Sequence, residues 1–122
     1  MTTGDNLSSA RAVAQECGII DPNLENENSC LDGEHFFKII KGIICSKCKS
    51  ESCYCPQNNY YARRFGRKIR VETLGDMMAF RKIRRNLSII ANATPAHKLA
   101  LMIGLKEQGE IVAVLGNGNL LI

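Results

Sequence analysis

From position 86 to 118 the chain switches period twice, and that alternation limits the folds open to it. "NLSIIA" (86–91) is a short apolar run, which predicts a strand over 87–91. "TPAHKLALMIGLKEQG" (94–109) begins with a proline suited to a first helical turn and ends in glycine, which predicts a helix to about Gln108. "IVAVL" (111–115) then reads as a last buried strand. Strands alternating with helices argue for crossover connections, so the expectation is an α/β layer fold, mostly parallel in its sheet, with flanking helices. With 122 residues, the chain has room for one domain and a single core.

The first half is read in the same way. Asp5 or Asn6 can cap a helix that carries Leu7, Ala10, Val13, Ala14 and Cys17 on one face, with Gly18 as its stop. Ile19-Ile20 looks like a short strand, and Cys30-Leu31 like another before Asp32-Gly33. A short helix over 34–41 offers Phe36, Phe37 and Ile40 to the core. Residues 42–70 keep neither period for long and read as an inserted, Cys-rich, basic surface loop. Beyond it Leu74, Met77, Phe80 and Ile83 form a helical stripe from about Thr73.

The net charge of +4 conceals an uneven distribution. Residues 1–35 hold seven acids and one base, residues 36–70 nine bases and one acid, and residues 71–122 six bases and four acids. The basic middle interleaves Tyr60, Tyr61 and Phe65 with arginines, and "RKIRR" (81–85) continues the theme. Such a patch suits an anionic lipid or an acidic partner better than base-specific nucleic-acid readout. A solvated basic face is the plain alternative.

No apolar run approaches the roughly 18–20 residues of a membrane span, and "MTTGDNLSSA" lacks a signal-peptide core, so a cytoplasmic chain is expected. The six cysteines then read as thiols or metal ligands rather than disulfides. Cys45, Cys48, Cys53 and Cys55 offer four soft ligands in one loop for zinc, although the C-x-C half is unusual. Cys17 and Cys30 read as small core residues. One functional reading of the middle segment is therefore a zinc-stabilised basic binding module for nucleic acid or acidic partners.

Three stretches carry a different chemistry. "TTGDN" (2–6) places a hydroxyl, a glycine and a carboxylate at a helix start, where free N–H groups favour an anion. "TPAHK" (94–98) puts Lys98 in the first turn of a helix that follows a strand. "VAVLGNG" (112–118) is a strand end with a glycine turn. In open α/β sheets ligands bind at the carboxyl ends of strands, where these three would meet and form a phosphoryl cradle. Each also has a plain reading: a capped turn, a solvated lysine, and an Asn117 that tolerates positive φ.

"TTGDNLSSARAVAQECGII", "CLDGEHFFKII" and "NLSIIANATPAHKLALMIGLKEQGEIVAVLGNG" together resemble, in order and spacing, the TGDN, leucine-x-Gly-x-x-Phe and P-x-x-K to TGDG segments of P-type cation-transporting ATPases. The likeness is best to the plasma-membrane type of calcium pump and covers about residues 1–41 and 71–118. It implies that residues 1–122 are part of the phosphorylation domain, a Rossmann-like, haloacid-dehalogenase-like unit, with 42–70 inserted. It implies phosphate contacts for Thr3 and Gly4, loop ordering and nucleotide contacts for Asp5, and neutralisation of the phosphoryl charge by Lys98. ATP and magnesium are the implied cofactors. The implied partner is the remainder of a pump, on the cytosolic side of its membrane.

The departures bear on activity. No DKTGT motif, which carries the family's phosphorylated aspartate, occurs in this sequence. Asn117 stands where a magnesium-binding aspartate is expected, and a neutral amide serves a hard dication poorly. Asn92 stands where these pumps usually carry an arginine near the nucleotide. The resemblance thus implies ATP-driven calcium transport for a full-length protein and an inactive chain in isolation.

Overall fold

The computed structural model describes residues 1–23, 29–52 and 72–114. Its elements in chain order are α1 (Leu7–Glu16), β1 (Cys30–Asp32), α2 (Gly33–Ile39), β2 (Ile43–Cys45), β3 (Glu72–Leu74), α3 (Met77–Arg84), β4 (Ile89–Ala91) and α4 (Pro95–Glu107).

β4 is the centre of the parallel part. It pairs in parallel with β1, Leu31 opposite Ile90, and a parallel bridge joins Ile90 to Thr2. Ile90 turns both its backbone groups toward the N-terminal segment, donating to the Met1 carbonyl (2.9 Å) and accepting from the Thr3 amide (3.0 Å). Ile89 instead donates to the Ser29 carbonyl (3.0 Å), on the β1 side. Alternate residues of a strand point opposite ways, so β4 has a neighbour on each edge.

The same alternation divides the core. Cys30, Ile89 and Ala91 pack with Ala10, Ala14 and Ile20 on the α1 side. Leu31 and Ile90 pack with Phe36, Ile40, Leu74, Phe80 and Ala100 on the other. All three residues of β4 are buried, as in a strand covered on both faces. On the second face Phe80 meets Phe36 edge-on, ring centroids 6.4 Å apart. Gly104 lies mid-helix where a β-carbon would come within 2.6–2.8 Å of the Phe80 ring, so the glycine is kept for packing against its helical cost.

Side-chain caps set the helix starts: Asn6 accepts from the Ser9 amide, Asp32 from Glu34, Asp76 from Ala79 and Thr94 from His97. Gly18 follows α1 at φ 73°, the left-handed stop expected of it.

Several expectations are corrected. Val13 and Cys17 are exposed, and α1 buries only Ala10 and Ala14. Ile19-Ile20 is not a strand: both amides fold back onto the Ala14 carbonyl (2.8 and 3.4 Å), burying Ile20 and leaving Ile19 outside. The 42–70 segment is not loop from its first residue, because β2 pairs antiparallel with β3, Ile43 opposite Leu74. Thr73 and Leu74 therefore belong to a strand, and the helical stripe starts only at Met77. The remainder of the insert, 53–70, lies outside the described residues. The strand expected over 111–115 does not form across the described 111–114, where Ile111 is fully exposed and Val114 is 64% exposed. The described strands thus form one parallel pair and one antiparallel pair rather than a mostly parallel sheet.

Candidate functional site

The carboxyl ends of β4, β1 and the Thr2 segment open toward one place. From Thr2 the chain enters Thr3-Gly4-Asp5, from β1 it reaches Asp32-Gly33, and from β4 it enters 92–94. Backbone bonds fasten the first of these loops to the third: Ala93 donates to the Thr3 carbonyl and Asn92 to the Asp5 carbonyl, each at 2.8 Å. Thr3 Oγ1 accepts from the Asp5 amide (3.2 Å), which shapes the turn and leaves the hydroxyl hydrogen free to donate.

Asn92 holds a left-handed backbone, φ 48°, which an asparagine adopts more readily than most residues. Its Nδ2 donates to Asp32 Oδ2 at 2.7 Å, while Asp32 Oδ1 accepts from the Glu34 amide at 3.0 Å. The Asn92 bond first, and the Glu34 amide second, hold the Asp32 carboxyl below the usual carboxylate range. Asp32 is thus a clamp between β1, α2 and the 92–94 loop.

His97, buried at 6% exposure, closes the back of the loop. Its Nδ1 accepts from the Thr94 amide (3.2 Å) and its own amide donates to Thr94 Oγ1 (3.4 Å), a capping box with histidine in place of the usual Glu or Gln. Its ring lies tilted against Phe37, centroids 5.2 Å apart, and Gly33 fits beneath it with no room for a β-carbon. Lys98 follows immediately in the first turn of α4, exposed, its ammonium making no ion pair among the described residues.

Thr3, Gly4, Asp5 and Asn92 are therefore brought together, with Lys98 on the helix that leaves the same loop. Asn117 lies outside the described residues. Sequence reasoning missed Asp32 and His97. An Asp ahead of Gly-Glu, and a His three residues after Thr94, were the available signals, both of them capping patterns.

Among the described residues no three His, Cys, Asp or Glu side chains stand together as metal ligands, and each Asp32 oxygen accepts one N–H bond. Of the four cysteines expected to bind zinc, Cys45 is buried on β2 and Cys48 is exposed, neither in a disulfide, while Cys53 and Cys55 lie outside the described residues. Cys17 is exposed and Cys30 buried, and neither is in a disulfide.

Asp32 gives a pH prediction. A carboxyl held low when folded contributes stability that is complete above its unfolded value, near 3.8, and lost as pH falls through the folded one. Asp32→Ala is expected to lower stability by about 1–2 kcal/mol at neutral pH through loss of the cap and the Asn92 bond. In thermal melts the gap from the parent chain should be constant above about pH 5 and close below pH 4. A gap that persists unchanged at pH 2–3 would contradict the clamp.

No protein-family model matches the chain, and no solved structure matches it. Among curated proteins it is 32% identical over 120 residues to the plasma-membrane-type calcium-transporting ATPase 13 of Arabidopsis thaliana. It is 31% identical over 124 residues to plasma membrane calcium-transporting ATPase 3 of Homo sapiens, and 29% over 119 residues to the plasma-membrane-type calcium-transporting ATPase 7 of Oryza sativa subsp. japonica. Each match takes in 98% of this chain but only 8% of the relative. Among the described residues, no helix is long and apolar enough to cross a membrane. By homology, nearly the whole chain belongs with one segment of the plasma-membrane-type calcium-transporting ATPases.

Proposed function

We infer that this chain is a segment of the phosphorylation domain of a calcium-transporting P-type ATPase, of the haloacid-dehalogenase-like, Rossmann-like kind. The full-length protein would couple ATP hydrolysis to calcium transport across a membrane. One observation carries the reading: the Thr3-Gly4-Asp5 turn is bonded to Asn92 and Ala93 at the carboxyl end of β4, so two of the three motifs share one rim. That rim is where an open α/β sheet binds its ligand.

In this reading the free hydroxyl hydrogen of Thr3 and the backbone around Gly4 donate to phosphate oxygens. Asp5 fixes the turn through its amide and carbonyl. Lys98 supplies an exposed ammonium with no ion pair among the described residues, the charge neutralisation on which phosphoryl transfer depends. Asp32, Asn92 and His97 position these groups without touching the ligand. Asn117 marks a degenerate magnesium position and Asn92 a degenerate nucleotide position. With no DKTGT motif among its 122 residues, the chain brings no aspartyl nucleophile of that kind and is expected not to hydrolyse ATP by itself.

Titration of the isotopically labelled chain with inorganic phosphate tests the site. The Thr3, Gly4 and Ala93 amide signals are expected to move together, and Lys98→Ala to weaken the apparent affinity by about tenfold, the lower end for a charge-assisted bond at an exposed lysine. Unmoved loop signals, or an affinity indifferent to Lys98, would refute the site. Magnesium-dependent ATP turnover by the isolated chain would refute its inactivity.

A further inference from the structure

The end of the molecule opposite this rim carries a second concentration of charge. α3 delivers Arg81, Arg84 and Arg85 at spacings of three and four residues, which places them on one side of its last turn. α4 runs back from the carboxyl end of β4 and finishes at Gln108 beside them. The four residues line an open crevice of about 460 Å³ at the amino end of β4.

The arginines are not equivalent. Arg84 is anchored, hydrogen-bonded through Nη1 to Gln108 and through Nη2 to Glu110 at 2.6 Å. Arg81 and Arg85 are exposed and form no ion pair among the described residues. Three guanidinium groups therefore line the crevice, and among the described residues only Arg84 of the three has a carboxylate partner, Glu110. Placing a cation at a helix C-terminus satisfies the macrodipole, whose negative end amounts to about half a charge. The second exposed guanidinium lies beyond that demand, and a bound anion would offset the mutual repulsion of the three, which solvent and salt otherwise only screen. Planar N–H forks match phosphate oxygens two at a time, which a lysine cluster would not do.

We propose that the Arg81–Arg84–Arg85 crevice is a phosphate-binding site, occupied by a free phosphate ester or by the phosphorylated headgroup of a lipid. Arg84, locked by Gln108 and Glu110, is the fixed member, and the exposed Arg81 and Arg85 supply the guanidinium groups that turn onto the ligand. The site lies away from Lys98 and does not depend on the ancestral phosphate rim.

Thermal melts of the 122-residue chain test this, comparing sodium phosphate with sodium chloride at equal ionic strength. Phosphate at roughly tenfold over its Kd is expected to raise the midpoint by about 4–8 °C beyond chloride. The rise should survive in Lys98→Ala, shrink in Arg81→Lys, and vanish in the Arg81→Gln/Arg85→Gln double variant. Flotation with vesicles containing a phosphoinositide, set against phosphatidylcholine alone, separates the two sources: retention lost in the double variant assigns the lipid, and a phosphate response without retention assigns a soluble ester. A rise equal in chloride, a rise untouched by the double variant, or a response to polyglutamate but not to phosphate would overturn the proposal. A response lost in Lys98→Ala alone would assign it to the rim instead.

Discussion

Phe80→Ala is expected to destabilise the chain by about 3–5 kcal/mol, the usual cost of truncating a buried phenylalanine. The ring is fully buried, touches Phe36 edge-on, and occupies the hollow that Gly104 leaves in α4. Domains of this size have only about 5–15 kcal/mol in total, so the variant should lose a large part of its margin. Urea denaturation should show a lower midpoint with an unchanged slope. Met78→Ala on the same helix, 64% exposed, is the contrast and should stay within about 0.5 kcal/mol. If Phe80→Ala cost no more than Met78→Ala, the packing of α3 against α4 and α2 described above would be wrong.

Gly33→Ala should reach from the core to the candidate site. An added β-carbon would lie 2.3 Å from His97 Nδ1 and 3.1 Å from the Asn92 carbonyl oxygen, so the histidine must move. Overpacking of this kind costs about 1–3 kcal/mol. The displaced ring also gives up the Thr94 amide, which loosens the 92–94 loop and should weaken the phosphate response of Thr3 and Gly4. Gly33→Ala combined with His97→Ala removes the clash. The double variant should therefore be more stable than the sum of the single effects, by about 0.5–3 kcal/mol. Strict additivity would show that the two residues do not press on one another.

The elements that could be read from sequence were those whose signals are local. Asn6, Gly18, Thr94, Pro95 and Gly109 mark helix ends by their own side chain or backbone preference, and α1 and α4 fall within a residue or so of their expected bounds. The misread segments depend on distant partners. Thr73 and Leu74 continue a helical stripe in sequence but become a strand because Ile43 and Ile44 pair with them. Residues 111–114 are as apolar as any buried strand, yet no described segment pairs with them. The site divides in the same way. TGDN and PAHK were legible as motifs, while Asp32 and His97 act through geometry that only the folded chain creates. The likeness to calcium pumps was legible because three motifs kept their order, and the relatives bear it out.

The pairing of Thr2 with Ile90 also governs when this unit can assemble. A translating ribosome adds about 5–20 residues per second, so roughly 4–18 s pass between synthesis of the two partners. Throughout that interval Met1, Thr3 and the β1 edge offer unsatisfied amides and carbonyls to whatever else is nearby. The nascent segment therefore has a waiting period built into its topology, and its folding yield should respond to chaperone supply and to elongation speed.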